Sequence, residues 1–117
     1  MLATLGDDHR LQTVRGAIAE ALCDGGPTLR VIAKRMGMSV RTLQRRLDDC
    51  GVVFKALVAE IRCELANRYL AEGRASLTEV AFLLGYSELS GFDRAFRRWT
   101  ASTPLEARKH LRAAAVS

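Results

Sequence analysis

The sequence predicts an all-α fold of seven helices joined by short connections, and three observations lead there. Apolar residues recur at helical rather than alternating spacing along most of a 117-residue chain that is 49% hydrophobic. Only 2 prolines interrupt it, and clusters of β-branched residues, the usual mark of strands, are few. Most informative, one pattern occurs twice. Leu29-x-x-Ile32-Ala33-x-x-Met36-Gly37-x-Ser39 recurs as Leu77-x-x-Val80-Ala81-x-x-Leu84-Gly85-x-Ser87, every position displaced by 48 residues, Leu29 to Leu77. A chain of this length can bury a core without disulfides or metals.

Each element has its own justification. Leu11, Val14, Ile18 and Leu22 fall on one helical face, with Asp7 or Asp8 placed to cap the start and Gly25-Gly26-Pro27 to end the helix. Thr28 is placed to cap a short helix over 29–36. Gly37 supplies a left-handed turn residue, and Ser39 caps a helix over 40–49 that Gly51 closes. A longer helix over 54–71 carries Phe54, Leu57, Val58, Ile61, Leu65 and Tyr69 on one face, and Gly73 terminates it. A helix over 77–84, the Gly85 turn and a helix over 89–100 repeat the earlier unit. Pro104 opens a last helix reaching about 114.

The repeated spacing has a steric logic. Ala33 and Ala81 sit midway along the first helix of each unit, where a second helix crosses closely, and Gly37 and Gly85 take the turn. Ile32, Met36, Val40, Leu43 and Leu47 then form a shared apolar seam; Val80, Leu84, Leu89, Phe92, Phe96 and Trp99 form its counterpart. This is the pattern of a helix-turn-helix, and the chain holds two. The predicted organisation within one domain, 1–117, is a first unit over 7–51, a linker helix over 54–71 and a second unit over 76–114. Packing alone would explain one such pattern; two, each followed by a basic helix, point to a nucleic-acid surface.

Charge agrees. The formal net charge is +5, and between residues 30 and 46 lie Arg30, Lys34, Arg35, Arg41, Arg45 and Arg46 with no acid. With Val40, Leu43 and Leu47 inward, the opposite face of that helix presents Arg41, Gln44 and Arg45. Arginine can fork onto guanine O6 and N7 and glutamine onto adenine N6 and N7, so this face is equipped to read base edges. In the second unit Ser90, Gly91, Arg94, Arg97 and Arg98 fall on or beside the outer face. Arg94 is the base-reading candidate there, while Arg97 and Arg98, near the helix end, suit phosphates.

Other chemistries find little support. The 3 cysteines, Cys23, Cys50 and Cys63, have no C-x-x-C spacing, and with His9 and His110 far apart no metal cluster or redox pair is indicated. A strand-transfer or nuclease site would need convergent carboxylates, but Asp48 and Asp49 are adjacent and point about 100° apart on a helix; they read as solvated residues at a helix end. No catalytic residue and no cofactor is expected. No apolar run approaches the ~18 residues of a membrane span, and Met1–Leu5 lacks a signal-peptide pattern, so a cytoplasmic protein is expected.

The run from Gly37 to Leu47, the linking helix, and the run from Glu79 through Ser87 to Phe92-Asp-Arg-Ala-Phe-Arg-Arg-Trp99 resemble the DNA-binding domain of AraC/XylS transcription regulators. The resemblance covers roughly 28–108 plus the preceding helix, and is strongest to regulators of the ornithine-utilisation and virulence type, whose effector domain precedes this one. It implies two helix-turn-helix subdomains on a rigid linker, double-stranded DNA as partner, and activation through RNA polymerase. It places base contacts at Arg41, Gln44 and Arg45 and at Arg94, with Ser90 and Gly91 nearby. The chain departs from the family pattern at Asp93, where Ser or Thr is common, and at Gly91. It also departs at Val53, usually a capping Ser or Thr, and at Ala101 and Ala107, usually Gly and Tyr.

The linker, about 27 Å long at 1.5 Å per residue, approaches the ~34 Å repeat of B-DNA, so one monomer is expected to place two recognition helices in successive major grooves. The competing reading is a protein-interaction module that has lost DNA binding, for which Gly91 and Asp93 are the hints. The expected whole is a truncated C-terminal domain rather than a complete regulator.

Overall fold

The computed structural model describes residues 2–24 and 26–116, with side chains described for 10–24 and 26–114. The described residues form the seven predicted helices: α1 (Leu2–Ala21), α2 (Leu29–Arg35), α3 (Val40–Asp49), α4 (Phe54–Glu72), α5 (Leu77–Leu83), α6 (Leu89–Thr100) and α7 (Pro104–Val116). The chain divides between Ile61 and Arg62 into two compact units, so α4 gives its first half to one and its second half to the other.

In the first unit α1 buries Val14, Ile18 and Ala21, with Leu22 just beyond its end. The helix begins at Leu2, so Asp7 and Asp8 lie within it and do not cap it. Their side chains, that of His9 and the whole of Gly25 lie outside the described residues. Thr28 caps α2 as expected, its hydroxyl accepting the Val31 N–H at 3.1 Å. Ile32 and Ala33 are buried where α2 packs on α1 and α3. Gly37 takes φ +67°, the left-handed value its place in the turn required. Ser39 then caps α3, accepting the Thr42 N–H at 3.1 Å. Leu43 and Leu47 are buried, but Val40 is 41% exposed and leaves the expected seam. It is the first residue of α3, at the open end of the helix, where less of the chain surrounds it than surrounds Leu43 and Leu47. Leu57, Val58 and Ile61 of α4 complete this core.

The second unit buries Ala66 and Leu70 of α4, whereas Leu65 and Tyr69 of the expected stripe are only half-buried. A stripe counted from Phe54 extrapolates one face along the whole helix, but the second half of α4 packs among different partners. Ser76 caps α5 by accepting the Glu79 N–H at 3.1 Å, and Val80, Ala81 and Leu84 are fully buried. The turn then departs from the repeat. α5 follows α2 by 48 residues, Leu29 to Leu77, but α6 follows α3 by 49, Val40 to Leu89. Ser87, the counterpart of Ser39, therefore does not cap; Glu88 stands at the N-cap without a side-chain bond to the helix.

Phe92 and Phe96 are buried in a run of aromatic contacts. Tyr86 stacks on Phe92 at 5.9 Å, Phe92 meets Phe96 edge-on at 5.7 Å, and Phe96 meets Trp99 at 6.3 Å. Beyond α6, Thr103 caps α7: its hydroxyl accepts the Glu106 N–H at 3.1 Å and donates to the Glu106 carboxylate at 3.0 Å. Arg108 of α7 donates to the carbonyls of Ala75 at 2.6 Å and Leu70 at 3.4 Å, clipping the connection between α4 and α5. Ala107, Phe96, Thr100 and His110 line an open cleft of about 460 Å³.

Ala101 ends α6 at φ +64°, a conformation that disfavours any residue with a Cβ. Replacing it with glycine removes a strain of about 1–2 kcal/mol but costs about 0.4–1 kcal/mol, because glycine gives the unfolded chain more freedom. Ala101→Gly is therefore expected to stabilise the second unit by about 0.5–1 kcal/mol, read as a higher urea midpoint by Trp99 fluorescence. A lower midpoint would show that the turn carries no strain.

Candidate nucleic-acid interface

The first candidate surface is the outer face of α3. Arg41 and Arg45 are exposed and Gln44 is half-buried, all turned away from the buried Leu43 and Leu47. Arg30, Lys34 and Arg46 are exposed around them. Arg35 belongs to the same stretch of sequence but is spoken for: its guanidinium pairs with Glu20 at 3.5 Å and Asp24 at 3.2 Å, both contributed by the preceding segment. A basic run free of acids in sequence is thus partly neutralised in space. One acid also lies on the reading face itself. Gln44 donates from Nε2 to Asp48 Oδ1 at 2.9 Å, a contact between residues one helical turn apart that the i, i+4 spacing already offered. Asp48 is therefore more than a solvated end residue.

The second candidate surface is the outer face of α6, where Ser90, Arg94, Arg97 and Arg98 are exposed. The Ser90 hydroxyl donates to Glu88 Oε2 at 3.3 Å. Asp93 lies a turn inside α6 and caps nothing, so its charge stays beside the arginines. A Cβ on Gly91 would meet Tyr86 Cδ1 at 3.4 Å, an ordinary contact. Packing does not enforce the glycine; it simply removes a side chain from this face. With α6 set one residue further along than the repeat suggests, Arg94 is the counterpart of Arg45, Ser90 of Arg41 and Asp93 of Gln44. The two faces carry different donors in equivalent places.

Arg62, which lies outside both repeats and both basic runs, holds the second turn in place. Its Nε donates to the Leu84 carbonyl at 3.2 Å, and its guanidinium lies 5.2 Å from the centre of the Tyr86 ring. Through the stack of Tyr86 on Phe92 that contact reaches the start of α6. Burial pushes the Tyr86 phenol above its usual range, against opposing pulls from the Arg62 and Arg98 charges and an Arg62 hydrogen bond. The ring therefore stays neutral beneath the cation. Burial likewise raises the Cys63 thiol, helped by Glu64 and opposed by a hydrogen bond from Asn67. Among the described residues no His, Cys, Asp and Glu cluster is placed to hold a metal. No described helix is long and apolar enough to cross a membrane.

The chain is similar to known transcription regulators. A helix-turn-helix domain family matches residues 32–110. The ornithine utilization regulator of Pseudomonas aeruginosa is 34% identical over 93% of this chain and 32% of its own length. Transcriptional activator NphR of Rhodococcus is 35% identical over 96% of this chain and 35% of its own length. The crystal structure of the transcriptional regulator CdpR from Pseudomonas aeruginosa is 34% identical and superposes with a TM-score of 0.65, covering 82% of this chain and 31% of that one. The chain spans about a third of the length of the relatives it matches.

Proposed function

The chain belongs to the AraC-type family of helix-turn-helix transcription regulators and is a DNA-binding domain, and from that premise we propose a division of labour between its two recognition helices. α3 reads bases in one major groove through Arg41, Gln44 and Arg45. α6 reads fewer, through Arg94 and Ser90, and anchors phosphates through Arg97 and Arg98. The observation that carries this reading is that Arg41 and Arg45 are exposed, with Gln44 half-buried beside them, on the face opposite the buried Leu43 and Leu47. Those side chains have the donor and acceptor sets that base edges require. On α6 the equivalents of Arg41 and Gln44 are a short serine and an acid, which supports the weaker role.

The 19 residues of α4, about 28 Å of helix, support entry of the two helices into successive major grooves by one monomer. Activation through RNA polymerase in a cytoplasmic setting is part of the same proposal; the activator name of one relative supports it. The family consists of regulators rather than enzymes, and no reaction is proposed.

Two substitutions test the division. Arg45→Ala is expected to cost about 1–3 kcal/mol at one half-site and to relax base preference there. Arg97→Ala is expected to weaken all sequences alike and to lower the salt slope by about one unit. Binding to a duplex selected from a random library, and to its single-base variants, measures both. If Arg45→Ala weakens every sequence equally, Arg45 is a phosphate contact and the assignment of α3 fails.

A further inference from the structure

We propose that Asp48 sets the base specificity of α3 by holding the Gln44 carboxamide in the orientation that reads adenine and rejects guanine. The proposal rests on Gln44 reading a base. A carboxamide has one acceptor oxygen and two N–H donors, whereas an ionised carboxylate only accepts. The bond of 2.9 Å from Gln44 Nε2 to Asp48 Oδ1 therefore selects one of two amide orientations, because the flipped amide would set oxygen against oxygen. With one N–H committed to Asp48, Gln44 is left with Oε1 and a single N–H. Adenine offers a donor at N6 beside an acceptor at N7, which matches that pair. Guanine offers two acceptors, O6 and N7, and would need both N–H groups.

The surroundings give Asp48 no other evident task. It is exposed in the last turn of α3, where the helix dipole disfavours an acid. It also lies on the face proposed to approach a phosphate-lined groove, at the same side of the wheel as Arg41, Gln44 and Arg45. Among the described residues its side-chain hydrogen bond is to Gln44. A carboxylate that works against both the helix and the polyanion is accounted for by its control of Gln44.

The test compares Asp48→Asn, Asp48→Ala and Gln44→Ala against the whole chain. Each is titrated with a selected duplex, with its variants at the position whose preference Gln44→Ala flattens, and with an unrelated duplex. Both Asp48 variants are expected to lose roughly fivefold or more of the adenine-over-guanine preference at that position. They are also expected to bind the unrelated duplex more tightly, since a negative charge has gone. Helicity by circular dichroism is expected to stay at the wild-type level. If the preference survives in both Asp48 variants while Gln44→Ala abolishes it, Asp48 has no such role, although Gln44 still reads a base. If Gln44→Ala leaves every preference intact, the reading of Gln44 fails and this proposal with it. A loss of helicity with uniformly weaker binding overturns it in favour of a purely structural role.

Discussion

Affinity for a selected duplex is expected to fall by on the order of a thousandfold when monovalent salt is raised from about 50 to about 200 mM. The cations available for phosphates are those the fold leaves exposed: Arg30, Lys34, Arg41, Arg45 and Arg46 in the first unit, and Arg94, Arg97 and Arg98 in the second. Arg35 contributes less, because Glu20 and Asp24 already pair with it. Setting aside Arg41, Arg45 and Arg94, the proposed base readers, leaves Arg30, Lys34, Arg46, Arg97 and Arg98; with a part share from Arg35, about six phosphate contacts correspond to a log–log slope near −5. Over a fourfold change in salt that slope gives the thousandfold loss. Fluorescence anisotropy of a labelled duplex at several salt concentrations provides the slope. A slope shallower than about −2 would mean that one of the two basic faces does not meet the DNA.

Phe92→Ala is expected to cost the second unit about 3–5 kcal/mol. Phe92 is fully buried and stands between Tyr86 and Phe96 in the aromatic run. Its loss leaves a cavity and removes the surface on which Tyr86, and through it Arg62, positions the start of α6. Urea unfolding followed by Trp99, the chain's single tryptophan, reports on this unit directly, and the midpoint should fall on the order of 2 M. Phe82→Ala is the matched control, since Phe82 is 52% exposed on α5; its effect should stay below about 1 kcal/mol. Equal effects would mean that burial at position 92 does not hold the unit together. The same loss should leave the base preferences read by α3 in place while weakening full-site binding.

Much of this protein was legible without its structure, because the signals are local. Whether Leu43 or Phe92 faces inward depends on a 3.6-residue period, and whether Gly37 turns the chain depends on the freedom of a residue without a Cβ. Both are properties of a few neighbouring residues. The same holds for the Thr28 and Ser39 caps, the family resemblance, and the outward placement of Arg41, Gln44, Arg45, Ser90, Arg94, Arg97 and Arg98.

What the sequence determined by itself, then, was the set of helices, the doubled turn and the identity of the outward side chains. Tertiary structure decided the rest, because it depends on groups distant in sequence or on a choice among near-equal local options. The pairing of Arg35 with Glu20 and Asp24 across the α1–α2 connection removed a cation from a run that reads as uninterrupted. The face that α4 buries changes from Leu57 and Ile61 to Ala66 and Leu70 because each half answers to its own core. Arg62 clamps a turn whose carbonyl at Leu84 lies far along the chain. Periodicity assigns a side chain to a face, but only packing decides which neighbour meets it there.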